Sequence, residues 1–489
     1  LEPSRYPLPP KMKAQSFQGQ NNNYNFQGQF DTEPEGDLFP MYKRLRFTFD
    51  IVSSGNQTWT FRAFDRGTGV ERATFRNIAP PMQYNPGNWQ SAKHVIGSGH
   101  LVLVQVGNWV YCYDLAEKKE RWSRNLLGEG TTLQANQIWD QGEGDVSINY
   151  IDGTRQPVGG VTLLQPGYAA IITRDGLEVV EPNTRKTLWI RRNTTQNTRI
   201  QGDSRYIIVT ELSETSPRTL QSMRLIRAVD GMTVDGFKDP TNILKAAKSY
   251  KFYGRTVLLH EEVGDKKVLR LMDLADGTDV WKREYDSKAV AIKSHRPDWC
   301  GMVKPNGEVD LLAVSTGKPA VKFALDPKYG AAHLAGAVEA QLFGDADRFY
   351  LTLDRAPNAN SINMRNNLRY NYSLKSLLVN GPMYAFDQAT GKTQWYVDGV
   401  LDNQWLIMER FGDLPVIIAA APNLDRNGNI QNNYKVAVIE KDQGAVRFNS
   451  PVMNQGQYFQ SLNVDLKNGE INLQTYNLRL KISPADTPK

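Results

Sequence analysis

Apolar and polar residues alternate in short runs along most of this chain, and the runs come in pairs. Leu101-Val-Leu-Val-Gln-Val106, a Gly107-Asn108 step and Trp109-Val-Tyr-Cys-Tyr113 closed by Asp114 make one pair. Ala169-Ala-Ile-Ile172, Arg174-Asp-Gly176 and Leu177-Glu-Val-Val180 closed by Glu181 make another. Short β-branched runs punctuated by Asp-Gly or Gly-Asn predict strands joined by tight hairpins. A helical period is scarce, and residues 242–249 are the main short exception.

The pairs end in a recurring phrase: an acidic residue, a glycine-type turn four residues on, and an aromatic four residues beyond that. It reads Asp387-Gln-Ala-Thr-Gly391-Lys-Thr-Gln-Trp395 at its fullest and Asp273-Leu-Ala-Asp-Gly277-Thr-Asp-Val-Trp281 at its next best. The eight-residue spacing is kept at Asp114/Trp122, Glu181/Trp189 and Glu440/Phe448. Weaker copies are Asp65 with Gly69 and Phe75, Asp230 with Phe237, and Ala313 with Gly317 and Phe323. The eight copies lie 40 to 74 residues apart, and the shorter intervals fit a four-stranded propeller blade of about 40–50 residues. The longer ones imply insertions near 125–160 and 326–380. The acidic side chain can accept turn N–H groups, Gly supplies a positive φ, and the outer-strand aromatic can wedge between neighbouring blades.

The stretch Ala385-Phe-Asp387-Gln-Ala-Thr-Gly391-Lys-Thr-Gln-Trp395 is similar to the tryptophan-docking repeat of quinoprotein-type propellers, Ala-x-Asp-x-x-Thr-Gly-Lys-x-x-Trp. The chain resembles the pyrroloquinoline-quinone-like repeat family over residues 45–483, a family that includes the propeller lipoprotein of the bacterial outer-membrane assembly machinery. The resemblance implies an eight-bladed ring and an extracytoplasmic location. It does not imply the quinone, because many members bind none.

Composition narrows the function. At 489 residues the chain exceeds one ordinary core. A formal charge of +6 spread over that length permits weak attraction to acidic partners without the concentrated basic face of a nucleic-acid binder. The run Lys43-Arg44-Leu45-Arg46 reads as the solvated start of a strand. No apolar run approaches the roughly 20 residues of a membrane span. The chain begins at Leu1, so the sequence reads as a processed or excised piece and a removed export signal stays open. Residues 1–42 carry Pro3, Pro7, Pro9 and Pro10, a Gln/Asn-rich tract, and Asp31, Glu33, Glu35 and Asp37. Such a segment is a linker or an arm that gains order by lying on something else, with Tyr24, Phe26 and Phe30 as its candidate anchors.

Candidate chemistry is thin. Cys112 and Cys300 lie in different repeats and read as small buried side chains. His94, His100, His260, His295 and His333 have no metal-ligand spacing. Asn423-Leu-Asp425-Arg-Asn427-Gly-Asn429 offers alternating oxygens but lacks the distal Glu of a calcium loop. The polar, basic and aromatic stretch 358–375 is a candidate partner-binding loop. Asn56, Asn193 and Asn371 head glycosylation-type triplets that carry little weight. A quinone dehydrogenase of the alcohol-oxidising branch would, by the resemblance, need adjacent cysteines, which are absent.

The expectation is therefore all-β: an eight-bladed β-propeller, with seven blades as the alternative. Residues 1–42 form the arm, 43–484 the propeller and 485–489 a tail. Strands from both termini share a blade, and 461–466 with 470–475 form the C-terminal hairpin. No catalytic, cofactor-binding or metal-ligating residue is assigned. The expected role is a noncatalytic scaffold or structural component of an envelope or extracellular assembly, with protein partners, self-association through the arm and no nucleic acid. A quinone-dependent dehydrogenase and a carbohydrate-binding or hydrolytic propeller are the alternatives.

Overall fold

The computed structural model describes residues 12–18, 30–32, 45–52, 58–65, 71–78, 93–106, 109–126, 138–140, 149–151, 156–173, 175–192, 198–213, 219–295, 298–345, 347–356, 376–408, 411–412, 414–424, 430–449, 453–454, 461–465, 470–474 and 478–484. The chain divides into two compact units, one of residues 1–25, 262–269 and 282–489, the other of 26–261 and 270–281.

The fold is all-β and has a β-propeller arrangement. Among the described residues the strands form eight sheets, and one of them joins two four-strand groups through a parallel pairing of Val290–Ser294 with Ala337–Gly344. Divided at that seam, the sheets make nine strand sets. Eight sets carry one phrase each, in chain order: 30–78, 93–125, 156–191, 198–227, 249–286, 290–324, 337–397 and 404–449. They are called the first to eighth sets below. The ninth is built by both chain ends, so the sheets return one set more than the eight expected from counting the phrase.

That terminal set pairs Met12–Gln18 antiparallel with Leu478–Pro484, Met12 opposite Pro484 and Gln18 opposite Leu478. The hairpin Ser461–Asp465 and Glu470–Gln474 completes it. The expected sharing between the termini is present, and it draws on residues read from sequence as part of the arm. The fifth set supplies residues to both units.

Both long insertions add strands at the edge of a set opposite its phrase. Ile138–Asp140 and Asn149–Ile151 extend the third set beyond Gln156–Gln165, and Ser376–Val379 lies against Gln404–Ile407 of the eighth. The fourth set has three strands and only an isolated bridge, Ile226 to Thr233, where an outer strand would run. The edge of its last strand is covered another way. Asp239 accepts the Met223 N–H at 3.1 Å and the Thr241 N–H at 2.9 Å, and the short helix Thr241–Ala246 buries Leu244 against Leu225 and Met272. A bare strand edge would expose unpaired backbone groups, and this cover removes it.

The cores are layers of β-branched, leucine and aromatic side chains between successive sets. One layer holds Leu101, Leu103, Val110 and Cys112 of the second set against Val161, Ala169 and Ile171 of the third. Another holds Phe323 of the sixth set with Phe349 and Phe386 of the seventh, the Phe323–Phe386 centroids 4.4 Å apart. A third joins Ile418 and Val438 of the eighth set to Ile471, Leu473 and Ile482 of the terminal set, with Phe448 packed on it.

Candidate interaction surface

The phrase folds into one repeated turn. Its first residue donates its N–H to the carbonyl five residues on and accepts the N–H four residues on, as at Glu181 with Lys186 and Arg185, Asp387 with Lys392 and Gly391, and Glu440 with Ala445 and Gly444. The same pair of bonds in the fourth set is made by Arg227 with Met232 and Gly231. The expected acidic position there, Asp230, is therefore out of register by three residues. Arg227 opens that turn, and Asp230 folds back to accept from its Nε and Nη2.

The acidic side chains of Asp114, Glu181, Asp273 and Asp387 cap their turns. Asp114 Oδ1 accepts the N–H groups of Ala116 and Glu117 at 2.9 Å each, and Asp387 Oδ1 those of Ala389 at 3.1 Å and Thr390 at 2.7 Å. Burial pushes the Asp114 carboxyl up, but the Glu117 N–H and the Arg121 guanidinium outweigh it and hold the group below the ordinary carboxylate range. The fifth position of each turn has positive φ: Lys118 at 54°, Arg185 at 62°, Gly231 at 72°, Gly277 at 72°, Gly317 at 62°, Gly391 at 69° and Gly444 at 67°. Five of the seven are glycine, the residue that takes this conformation without a Cβ penalty.

Outer aromatics of several sets then meet the following turn or core. Trp122 of the second set donates its indole N–H to Pro182 O at 2.7 Å, Trp189 of the third to Ala228 O at 2.8 Å, and Trp395 of the seventh to Lys441 O at 2.7 Å. The acceptor is always the second residue of the next turn. A Cβ built on Gly231 would lie 2.7 Å from the Trp189 ring, and one on Gly444 would lie 2.6 Å from the Trp395 ring. Phe75 stands in for the indole in the first set, its ring 4.3 Å from that of Tyr113. Phe237 of the fourth set packs on the cluster that holds Leu274 of the fifth.

This geometry separates two kinds of glycine. Gly277 has nothing within 4 Å of a built Cβ, so Gly277→Ala should cost only the left-handed backbone penalty of about 1–2 kcal/mol. Gly444→Ala should cost clearly more, because the indole must also move. Urea denaturation of the two variants checks the order, and equal losses would show that the ring is not wedged on the glycine.

One buried charge pair supports a turn from beneath. Lys441, 3% exposed, places Nζ 3.1 Å from Asp345 Oδ2, donates to the Phe411 carbonyl, and lies 3.9 Å from the Phe411 ring centroid. Tyr350 donates its hydroxyl to the same carboxylate at 2.9 Å. Burial raises the Asp345 carboxyl, but the Lys441 charge and the hydrogen bonds from Lys441 and Tyr350 more than reverse this and leave it below its ordinary value.

A second buried cluster surrounds His333, on the short helix Gly330–Leu334. Its Nδ1 is 2.5 Å from the Tyr384 hydroxyl and its Nε2 is 3.5 Å from Asp398 Oδ2, with Tyr329 and Tyr396 beside the ring. Asp398 also meets Arg355 at 3.2 Å. Burial drives the Tyr384 hydroxyl upward. The arrangement pins the connection between the sixth and seventh sets.

Residues singled out from sequence are dispersed. His100 lies 3.6 Å from Asp114 and His295 lies 3.1 Å from Gln341. Cys112 and Cys300 are free and buried, and burial pushes each thiol up to about 12. Among the described residues no three His, Cys, Asp or Glu side chains gather as metal ligands. The loop 358–375, all of the oxygen-rich run 423–429 beyond Asn423 and Leu424, Asn56, Asn193, Asn371 and the arm anchors Tyr24 and Phe26 lie outside the described residues.

With strands, turn register and indole bonds in view, the class is a β-propeller, and it is similar to the PQQ-like repeat propellers, among them the outer membrane protein assembly factor BamB. Residues 265–469 match the family model described as outer membrane protein assembly factor BamB. Among solved structures, BamB from Moraxella catarrhalis aligns at 13% identity over 82% of this chain and 96% of its own, with a TM-score of 0.34. The WD40 domain of SCAP from fission yeast aligns at 7% identity over 97% and 98%, with a TM-score of 0.34. A europium-containing methanol dehydrogenase aligns at 8% identity over 97% and 93%, with a TM-score of 0.33. No curated protein matches the chain significantly.

Proposed function

We propose that this protein is a noncatalytic propeller serving as an interaction scaffold or structural component of an extracytoplasmic assembly. The observation that carries the reading is the use made of the repeated polar and aromatic groups. Trp122, Trp189 and Trp395 spend their only donors on the next turn, and Asp114 and Asp387 use carboxylate oxygens to accept the N–H groups of their own turns. The repeat is thus a device for holding sets together, and the loops and outer edges are left to meet partners. The BamB-type match over 265–469 supports an envelope setting, and no helix among the described residues is long and apolar enough to cross a membrane. In this reading the eight phrase-bearing sets are the blades and the terminal set joins the chain ends.

The test is the state of the protein in envelope extracts of its source. It should migrate on native gels in an assembly well above the isolated chain. Migration as the isolated chain, together with a rise in melting temperature on adding pyrroloquinoline quinone and Ca²⁺, would favour the dehydrogenase alternative instead. Deleting the arm as residues 1–41 is a poor probe of partners, because it also removes Met12–Gln18 from the terminal set.

A further inference from the structure

We propose that the outer edge of strand Thr187–Arg191 is a docking site for an extended acidic segment of a partner protein, added to the third set as a further strand. The proposal rests on the scaffold reading only for the existence of a partner. This strand is the last of its sheet, so one edge has no neighbouring strand among the described residues. Leu188 is 43% and Ile190 50% exposed, an unusual pair on an unpaired edge. Natural edges of this kind are normally blunted by charge, proline or cover. The outer strand of the sixth set opens with Pro319, and that of the fifth carries Lys282 and Glu284 in an ion pair at 3.2 Å. The third set has no proline in this strand, and the strand's only charged residue, Arg191, closes it and makes no ion pair among the described residues.

Charge says what would lie there. Arg185 and Lys186 precede the strand, Arg191 ends it and Arg192 follows it, and none of them meets a carboxylate among the described residues. Arg185 donates to Ser123 O at 3.1 Å, and Arg191 donates to Gly231 O at 3.2 Å and Thr233 Oγ1 at 3.3 Å, which fixes both stems without neutralising them. The nearby carboxylates are committed elsewhere. Glu178 is held by Arg124 at 2.7 Å and by Thr187, Glu181 caps its own turn, and Asp230 pairs with Arg227. Burial and the neighbouring Arg224 both disfavour the charged form of Arg191, the pattern of uncompensated positive charge. An incoming strand would gain backbone hydrogen bonds along the edge. Its alternate residues would offer carboxylates to the cations and apolar groups to Leu188 and Ile190.

The probe is the capped peptide Glu-Val-Glu-Ile-Glu-Val-Glu, with a lysine counterpart and a version carrying two central prolines. The acidic peptide should bind, weaken on raising salt from about 50 to about 300 mM, and slow amide exchange at residues 187–191. The double variant Lys186→Glu/Arg192→Glu, both positions exposed, should weaken it at least tenfold and admit the lysine peptide. Equal binding by the proline peptide would overturn strand addition, and unchanged binding to the double variant would overturn the site. Self-association, or binding to anionic vesicles, that is lost in the double variant while the acidic peptide fails to bind would assign the edge to a second copy or to lipid and overturn the proposal. Peptide binding by a protein found outside any assembly would leave the site standing and remove the scaffold setting.

Discussion

Trp395→Ala should lower the stability of its unit by about 3–5 kcal/mol, the range for truncating a buried indole. The side chain is 7% exposed and sits in one cluster with Val379, Leu401 and Ile417, bridging the seventh and eighth sets. Two losses combine. The indole face leaves a void above Gly444, and the Lys441 carbonyl loses its N–H donor at 2.7 Å. Trp395→Phe separates them: it keeps most of the apolar area and should cost nearer the roughly 1 kcal/mol of one hydrogen bond plus the smaller ring. Urea denaturation followed by tryptophan emission and circular dichroism reads both. A loss for Trp395→Ala no greater than for the exposed Leu188→Ala would dismiss the wedge.

Lys441→Met should be about as damaging, with a loss of about 3–5 kcal/mol, because it strands a buried carboxylate. Asp345 would keep only the Tyr350 hydroxyl and local backbone donors. The double variant Asp345→Asn/Lys441→Met should recover more than half of that loss, since no charge then stays buried without its partner. The native pair also predicts a pH dependence. The folded-state carboxyl of Asp345 titrates below its unfolded value of about 3.9. Its contribution is therefore fully present above that value and disappears as pH falls through the lower folded one. Lys441→Met should flatten the acid limb of the stability curve below about pH 4. An unchanged acid limb would mean that other carboxylates set it.

The turn-and-aromatic phrase was legible because its chemistry is local. Asp387, Gly391 and Trp395 lie within nine residues, and each role shows in residue type: acceptor, positive φ, flat ring. The same locality explains the error at Asp230. An aspartate three residues into the turn resembles one that opens it, and only the backbone bonds of Arg227 distinguish them. Lys118 and Arg185 hide the glycine position for a similar reason, since nothing in their side chains announces φ near 60°. The pairing of Asp345 with Lys441 could not be read at all, because 96 residues separate two ordinary charged positions. Met12–Gln18 was invisible as a strand for the same cause: it has no hairpin partner nearby, and its neighbour lies at the far end of the sequence.

That last pairing bears on how the molecule is made. Met12 leaves the ribosome first among the described strands and must wait for Pro484, so no nascent chain can complete this sheet. Joining ends about 470 residues apart costs on the order of 5 kcal/mol in loop-closure entropy unless intervening sets have already folded and brought them near. Folding of the earlier sets should therefore come first, with the terminal sheet as the final, post-translational step of maturation.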